Sequence, residues 1–573
     1  MNIFDRRLWK RFWQISRLYW CSDEKWRAWG GLALLLLLLL GVTTLNVALS
    51  FVGRDFMTAL AEKNISVFNR TLLIYLGVFI VATPVSVFFD FVSKTLGVNW
   101  RLWLTGHFLA KYFTNRAYYH INNDKDIDNP DQRISQDISS FTVTSLAFLS
   151  IIFFSLVQLV SFAGILWSIS VPLVLVLVAY ATVGTGVTLF FGKRLINLNF
   201  LQLRREADFR YGLVHIRNNA ESIAFYRGEG REKSQVKERL REAIANFRML
   251  IGWERNLGFF TKGYQYVILV LPIVVMAPLY FAGETKFGVV TQSVEAFSTV
   301  LGALSVIVAQ FEKLSQFVAS ISRLETFDAA LERDSGSERE QGGHGKSPVI
   351  ASLEEPRLSL KRVTLHTPDY EKTLLKEVTA EVPPGGGLLI MGPSGVGKSS
   401  VLRAVAGLWT AGEGEISRPP LPEMIFLPQR PYMVLGSLRD QLLYPSLDKD
   451  TTDEELRAAL ATVNLADLPD RVGGFGAVLG WGQILSLGEQ QRLAFARLLL
   501  TKSRYAVLDE ATSALDVANE KLLYGLLQKA GVTFVSVGHR PSLLTYHDTV
   551  LELRDRGEWR FAPVAEYLVA VPS

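Results

Sequence analysis

Six long apolar stretches occupy the first 325 or so residues of this 573-residue chain. They run from Ala28 to Val52, Thr71 to Val92, Thr142 to Trp167, Val171 to Phe191, Tyr264 to Gly283, and Val294 to Val318. About 20 helical residues cross a bilayer core of about 30 Å, so each is long enough to span it. Inside lipid every backbone polar group must find its partner within the segment, which leaves helices for such runs. Only 20% of residues are charged and the mean hydropathy is +0.22, which argues against a wholly soluble or disordered chain. Cys21 is the sole cysteine, so no intrachain disulfide forms. The net charge of +5 is too small to suggest a nucleic-acid partner, and none is expected.

The distribution of lysine and arginine orients the spans. The N-terminal tail holds seven, Ser93–Phe141 six, and Gly192–Asn256 fourteen. The alternate connections hold three, none and one. Positive charge stays cytoplasmic, which places both termini there. Residues 1–27 mix basic and aromatic side chains, a pattern suited to a helix lying among lipid headgroups. The long inner connections read as helices that leave the membrane, for example Arg101–Tyr119 and Leu201–Asn246. The domains expected are 1–27 (interfacial helix), 28–326 (six spans), 327–350 (linker) and 351–573 (soluble). The linker centres on the polar, Gly-rich run Arg333–Pro348.

Chemistry concentrates in the soluble part. The apolar run Leu388–Met391 leads into Gly392-Pro393-Ser394-Gly395-Val396-Gly397-Lys398-Ser399-Ser400, which matches G-x-x-x-x-G-K-[ST]. Such a loop curls backbone N–H groups around phosphates, and the helix after it points its positive end at the same anion. Lys398 would reach the outer phosphates and Ser399 would ligate Mg²⁺. A second strand, Tyr505–Leu508, ends in Asp509 and Glu510. Asp509 suits Mg²⁺, and Glu510 is placed to deprotonate an attacking water.

Between these motifs stands Leu485-Ser486-Leu487-Gly488-Glu489-Gln490-Gln491-Arg492. It resembles the LSGGQ signature of ABC transporter ATPases, with Leu487 and Glu489 as departures. The resemblance implies that Gln429 in FLPQRPY contacts Mg²⁺, that Asp516 in SALD is the D-loop residue, and that His539 in SVGHR is the switch histidine. The family stacks adenine on an aromatic; Thr367 stands at the expected position, leaving Tyr370 as a substitute. Segments of both halves, among them WRLWLTGHFLAKYFTNRAYY and NAESIAFYRGEGRE, are similar to the D-subfamily and to SbmA/BacA-like membrane domains.

The resemblance implies a type-IV, exporter-like bundle of six helices followed by an α/β ABC ATPase domain. It further implies ATP and Mg²⁺ as cofactor pair, and a dimer, because one phosphate loop meets the signature of another chain; a homodimer is the simplest assembly and a heterodimer the alternative. Membrane lipids and a transported solute complete the partners. The expected place is a bacterial plasma membrane, with the ATPase domain in the cytoplasm. Two inner segments look suited to coupling: Asp128–Arg133, with Asp131 and Arg133, and Ala220–Tyr226, with Glu221, Phe225 and Tyr226. Asp90 and Glu295 are candidate pathway residues, since ionisable groups in spans are costly. A cobalamin-like solute or a peptide is the expected cargo. Acyl-CoA or lipid transport, an ATP-gated channel, and a proton-coupled carrier with regulatory ATP are the alternatives.

Overall fold

The computed structural model describes residues 6–122, 127, 129–334, 349–446 and 450–570. The chain divides into two units, Met1–Gly342 and Gly343–Ser573.

The first unit is helical: α1 (Arg6–Trp20), α2 (Lys25–Ala61), α3 (Ile65–Phe113), α4 (Ala117–Asn122), α5 (Pro130–Gln132), α6 (Ile138–Ile169), α7 (Val171–Asn218), α8 (Ala220–Tyr226), α9 (Glu229–Phe281), α10 (Phe287–Ala309) and α11 (Phe311–Asp334). Among the described residues, six helices are long and apolar enough to cross a membrane. With 49, 48 and 53 residues, α3, α7 and α9 exceed any bilayer core at about 1.5 Å per residue. Small residues bring α2 against α3, with Gly31, Gly41 and Gly53 lying against Leu96, Val85 and Tyr75. Apolar side chains pack in two main clusters. One holds Trp100, Phe108, Phe141 and Phe327; the other holds Phe162, Met276 and Phe297.

Several expectations are corrected here. The sixth span begins at Phe287, seven residues before the expected Val294, and α10 ends before Gln310 rather than running to Val318. Glu295 therefore lies about 12 Å along the helix. The Arg101–Tyr119 helix breaks at Asn115 and Arg116, both left-handed (φ 50° and 59°). The Leu201–Asn246 helix breaks at Asn219 and again at Arg227, whose φ is 53°. Residues 327–334, expected as linker, continue α11, because Phe327, Ala330 and Leu331 are buried in the first cluster. The remaining linker positions 335–348 and Asp128 lie outside the described residues. The first helix is more than a surface rider: Ile15, Tyr19 and Trp20 are buried, with Tyr19 stacked on Trp100, while Trp9 and Trp13 stay exposed.

Among its described residues the second unit has ten strands: β1 (Ala351–Glu354), β2 (Leu358–His366), β3 (Thr373–Val382), β4 (Gly387–Met391), β5 (Gly412–Arg418), β6 (Met424–Leu427), β7 (Tyr505–Asp509), β8 (Thr533–Val537), β9 (Thr549–Leu553) and β10 (Trp559–Pro563). Its helices are α12 (Lys398–Val405), α13 (Leu438–Leu443), α14 (Asp453–Thr462), α15 (Leu468–Val472), α16 (Trp481–Ile484), α17 (Leu487–Thr501), α18 (Val517–Lys529) and α19 (Val564–Ala570). One sheet runs β1-β5-β2-β3. The other runs β10-β9-β4-β8-β7-β6, parallel except at β10. Strand β8 lies between β4 and β7, with Asp509 opposite Val537. The phosphate loop, Asp509-Glu510 and His539 thus all leave the carboxyl ends of adjacent parallel strands, where open α/β sheets bind ligands.

Candidate functional site

The phosphate loop needs its glycines for space as well as conformation. Gly392 has φ 143°, and a Cβ there would stand 2.3 Å from the Leu553 carbonyl oxygen. Gly397, at φ 109°, turns the chain directly into α12. Lys398 Nζ donates to the carbonyls of Gly392 (3.0 Å) and Pro393 (2.8 Å). Burial lowers its pKa from the ordinary lysine value, and the carboxylates of Glu510 and Asp509 oppose that shift.

Ser399 Oγ donates to Asp509 Oδ1 at 3.1 Å. Burial pushes the Asp509 carboxyl up, against the pull of the Ser399 hydrogen bond. Next to it Glu510 adopts φ +48°, a region a non-glycine residue seldom enters, held there by its N–H donating to Val537 O (3.1 Å). Its carboxylate is bracketed: Gln429 Nε2 donates to Oε2 at 2.8 Å, and His539 Nε2 lies 3.3 Å from Oε1. Four residues expected at the γ-phosphate end, Asp509, Glu510, Gln429 and His539, are therefore joined to this one corner. Hydroxyl and carboxylate oxygens at 3.1 Å are the hard donors that Mg²⁺ takes beside phosphate and water. Among the described residues no group of three or more His, Cys, Asp or Glu could hold a metal alone, so phosphate oxygens would have to complete its shell.

Sequence reasoning gave no role to the side chains that tie this corner together. Gln491, on α17, donates to Gln429 O (2.9 Å) and Ser513 Oγ (3.3 Å) and accepts from Ala514 N (3.1 Å). Arg540, next to His539, donates to Leu515 O (2.9 Å), Ser513 O (2.8 Å) and the fully buried Glu520 (3.2 Å). Asp516 caps α18, accepting from Asn519 N at 2.7 Å. The loop 513–516 is thus held from the Gln429 side and from the His539 side.

The signature segment is built differently. Ser486 caps α17: its Oγ accepts from Glu489 N (3.3 Å), and Glu489 Oε2 accepts from Ser486 N (2.9 Å). Arg471 meets the same carboxylate at 2.5 Å. Burial would raise the Glu489 pKa, but Arg471 and Ser486 prevail and hold it below the ordinary glutamate value. The Ser-x-x-Glu spacing was the signal of this capping box, and it accounts for glutamate at one departure from the family signature. Leu485 is buried, Leu487 is exposed, and Gly488 lies against Ala514 O. Tyr370 sits in the β2–β3 turn at φ +57°, its ring 5.6 Å from that of His366.

In the membrane unit the two expected coupling segments part company. Arg133 is buried, donating to Arg323 O and Thr326 Oγ1 (both 2.8 Å). Nearby, Asp137 is buried and receives two hydrogen bonds from Arg323 (2.6 and 2.5 Å). Asp131 remains exposed. Segment 220–226 instead forms a short helix with Glu221 exposed and Phe225 and Tyr226 79% and 88% exposed. Asp90 and Glu295 lie exposed on α3 and α10, with the Glu295 carboxyl hydrogen-bonded to Ser50.

A nucleotide-binding α/β unit following a six-span helical unit defines an ATPase built onto a membrane transport domain. Residues 15–281 match the family described as ABC transporter transmembrane region 2, and residues 375–513 match that described as ABC transporter. An uncharacterized ABC transporter ATP-binding protein of Synechocystis sp. is 48% identical over 95% of this chain and 83% of its own length. The chloroplastic ABC transporter D family member 2 of Arabidopsis thaliana is 42% identical over 96% and 86%. The lysosomal cobalamin transporter ABCD4 of Homo sapiens is 31% identical over 97% and 96%. The chain belongs to the ABC transporter family, as a half-transporter whose relatives include the D subfamily, and it couples ATP hydrolysis to transport across a membrane.

Proposed function

We propose that two copies of this chain form a homodimer in a bacterial plasma membrane and move a hydrophilic, cobalamin-like solute. The full-length similarity to the lysosomal cobalamin transporter carries the substrate reading. The scarcity of lysine and arginine within the spans supports it against a polyanionic acyl-CoA. Ser399 and Asp509, with Gln429 beside them, would hold Mg²⁺, which neutralises phosphate charge when bound. Lys398 and the 392–400 backbone bind the phosphates, and Tyr370 faces the adenine. Glu510 accepts the proton of the attacking water while Gln429 and His539 fix its carboxylate. The partner copy closes the site with its own signature helix, whose N-terminus suits an anion. Phe225 and Tyr226 carry that motion to the spans, as an uncovered apolar tip seeking a groove.

Sealed vesicles containing the purified protein test this. With ATP and no proton gradient, labelled cobalamin should accumulate above its outside concentration, and a labelled peptide or acyl-CoA should not. Accumulation only with a proton gradient, or equilibration without concentration, would contradict the pump. Accumulation of peptide or acyl-CoA alone would overturn the substrate. Phe225→Ala with Tyr226→Ala should leave ATP hydrolysis while removing uptake.

A further inference from the structure

A cavity of about 470 Å³ lies between the start of α2 and the inner half of α3, with Tyr19 of the first helix at its edge. Its lining is polar at one end and apolar at the other. The register of Gly31 against Leu96 and Gly41 against Val85 puts Glu24 level with Trp103, Arg27 with Asn99, and Leu34 with Phe91. Two opposite charges and an amide therefore stand at the cytoplasmic end given by the lysine and arginine distribution. Leucine and phenylalanine line the end toward the bilayer centre. From Glu24 to Leu34 is about 15 Å along the helix, the depth of one leaflet.

The Glu24 charge stands close enough to Tyr19 to act on its hydroxyl, and Arg27 is exposed. Glu24 and Arg27 do not pair with each other, and among the described residues neither they nor Thr95 and Asn99 have a side-chain hydrogen bond or ion pair within the chain. Tyr19, by contrast, is fixed by its stack on Trp100. Exposed Trp26 and Trp29 lie at the same depth on other faces of α2, as aromatic rings do at headgroup level.

We propose that this cavity binds one inner-leaflet phospholipid with a zwitterionic, amine-bearing headgroup. Arg27 takes the phosphate, with Asn99 beside it, and Glu24 takes the ammonium. One acyl chain follows Leu34 and Phe91. A purely anionic lipid would meet Arg27 but be repelled by Glu24, so the pair selects rather than only attracts. Few lipid-facing sites would need both charges at one mouth.

Native mass spectrometry of the delipidated full chain, titrated with phosphatidylethanolamine or phosphatidylglycerol, tests this. The wild type should bind phosphatidylethanolamine about tenfold more tightly, the scale of one charge-assisted contact. Arg27→Gln should weaken both lipids, and Arg27→Lys should restore most of the loss. Glu24→Gln should remove the preference by weakening phosphatidylethanolamine and strengthening phosphatidylglycerol. Leu34→Trp, which fills the apolar end with both charges intact, should also reduce binding; this separates lost occupancy from lost charge. Elution as a single species with unchanged ATP hydrolysis confirms that each variant is folded. Equal affinity for the two lipids in the wild type, or wild-type binding in Glu24→Gln and Leu34→Trp, would overturn the proposal.

Discussion

The phosphate-loop side and the signature side of the ATPase unit are made of similar residues put to opposite uses. On the first, Ser399, Asp509, Glu510, Gln429 and His539 are drawn into one corner, and a glutamate is held at φ +48° to reach it. On the second, Ser486 and Glu489 spend their polar atoms on each other and on Arg471, capping a helix. Among the described residues no hydrogen bond or ion pair joins Ser486 or Glu489 to the phosphate loop. One side is arranged for reaction; the other is a stable, exposed helix end offered to something else. In the proposed homodimer these would be two unlike half-sites of one chain, and two copies would close two sites about a two-fold axis.

The strongest way to break this contrast is to remove the reacting group. Glu510→Gln keeps the size and the hydrogen bond from Gln429 but cannot take a proton. ATP turnover should fall by about a hundredfold or more while nucleotide still binds. Near-wild-type turnover would show that the corner is not where water is activated.

A middle-sized effect concerns the tether beneath that corner. Arg540→Ala leaves Glu520 buried without its cation. Because Arg540 is itself 42% exposed, the loss should be about 2–3 kcal/mol, below the full cost of a stranded buried charge. Thermal unfolding would measure it, and adding Glu520→Gln should recover part of the loss. An unchanged midpoint would mean that loop 513–516 is held by Gln491 alone.

The smallest effect belongs to the signature side. Glu489→Gln weakens the capping box and should cost about 1 kcal/mol. Arg471 and Ser486 hold the native carboxyl below its usual pKa, so its stabilisation is complete above the ordinary glutamate range. It is lost as pH falls through the lowered value. The difference between wild type and variant should shrink toward acid; a difference that grows there would contradict the ion pair.

What the sequence reveals divides along the same line. The phosphate loop, Asp509, Glu510, Gln429 and His539 could be read because each sits in a short contiguous motif beside a strand. The ties through Gln491 and Arg540 could not, since their partners lie 22 to 62 and 20 to 27 residues away and depend on how the strands align. Arg133 shows the same limit in the membrane unit. Asp128–Arg133 reads as a coupling segment, yet Arg133 bonds to residues 190 and 193 positions further on. The sixth span was misplaced because Glu295 looks like a helix end, whereas Gln292, Ser293, Ala296 and Phe297 bury the neighbouring faces and carry the charge within the helix.

The central claim, that each site is shared between copies, is tested by mixing two defective chains. Lys398→Ala removes a phosphate partner, and Ser486→Arg places a bulky cation at the signature helix end. Each variant alone should be inactive. In mixed dimers both defects fall in one site and leave the other whole, so ATP hydrolysis should return in part, and ATP-dependent crosslinking across the intact site should reach that of a wild-type site. If mixed dimers neither hydrolyse ATP nor crosslink, while wild-type dimers do both, the shared-site homodimer is wrong.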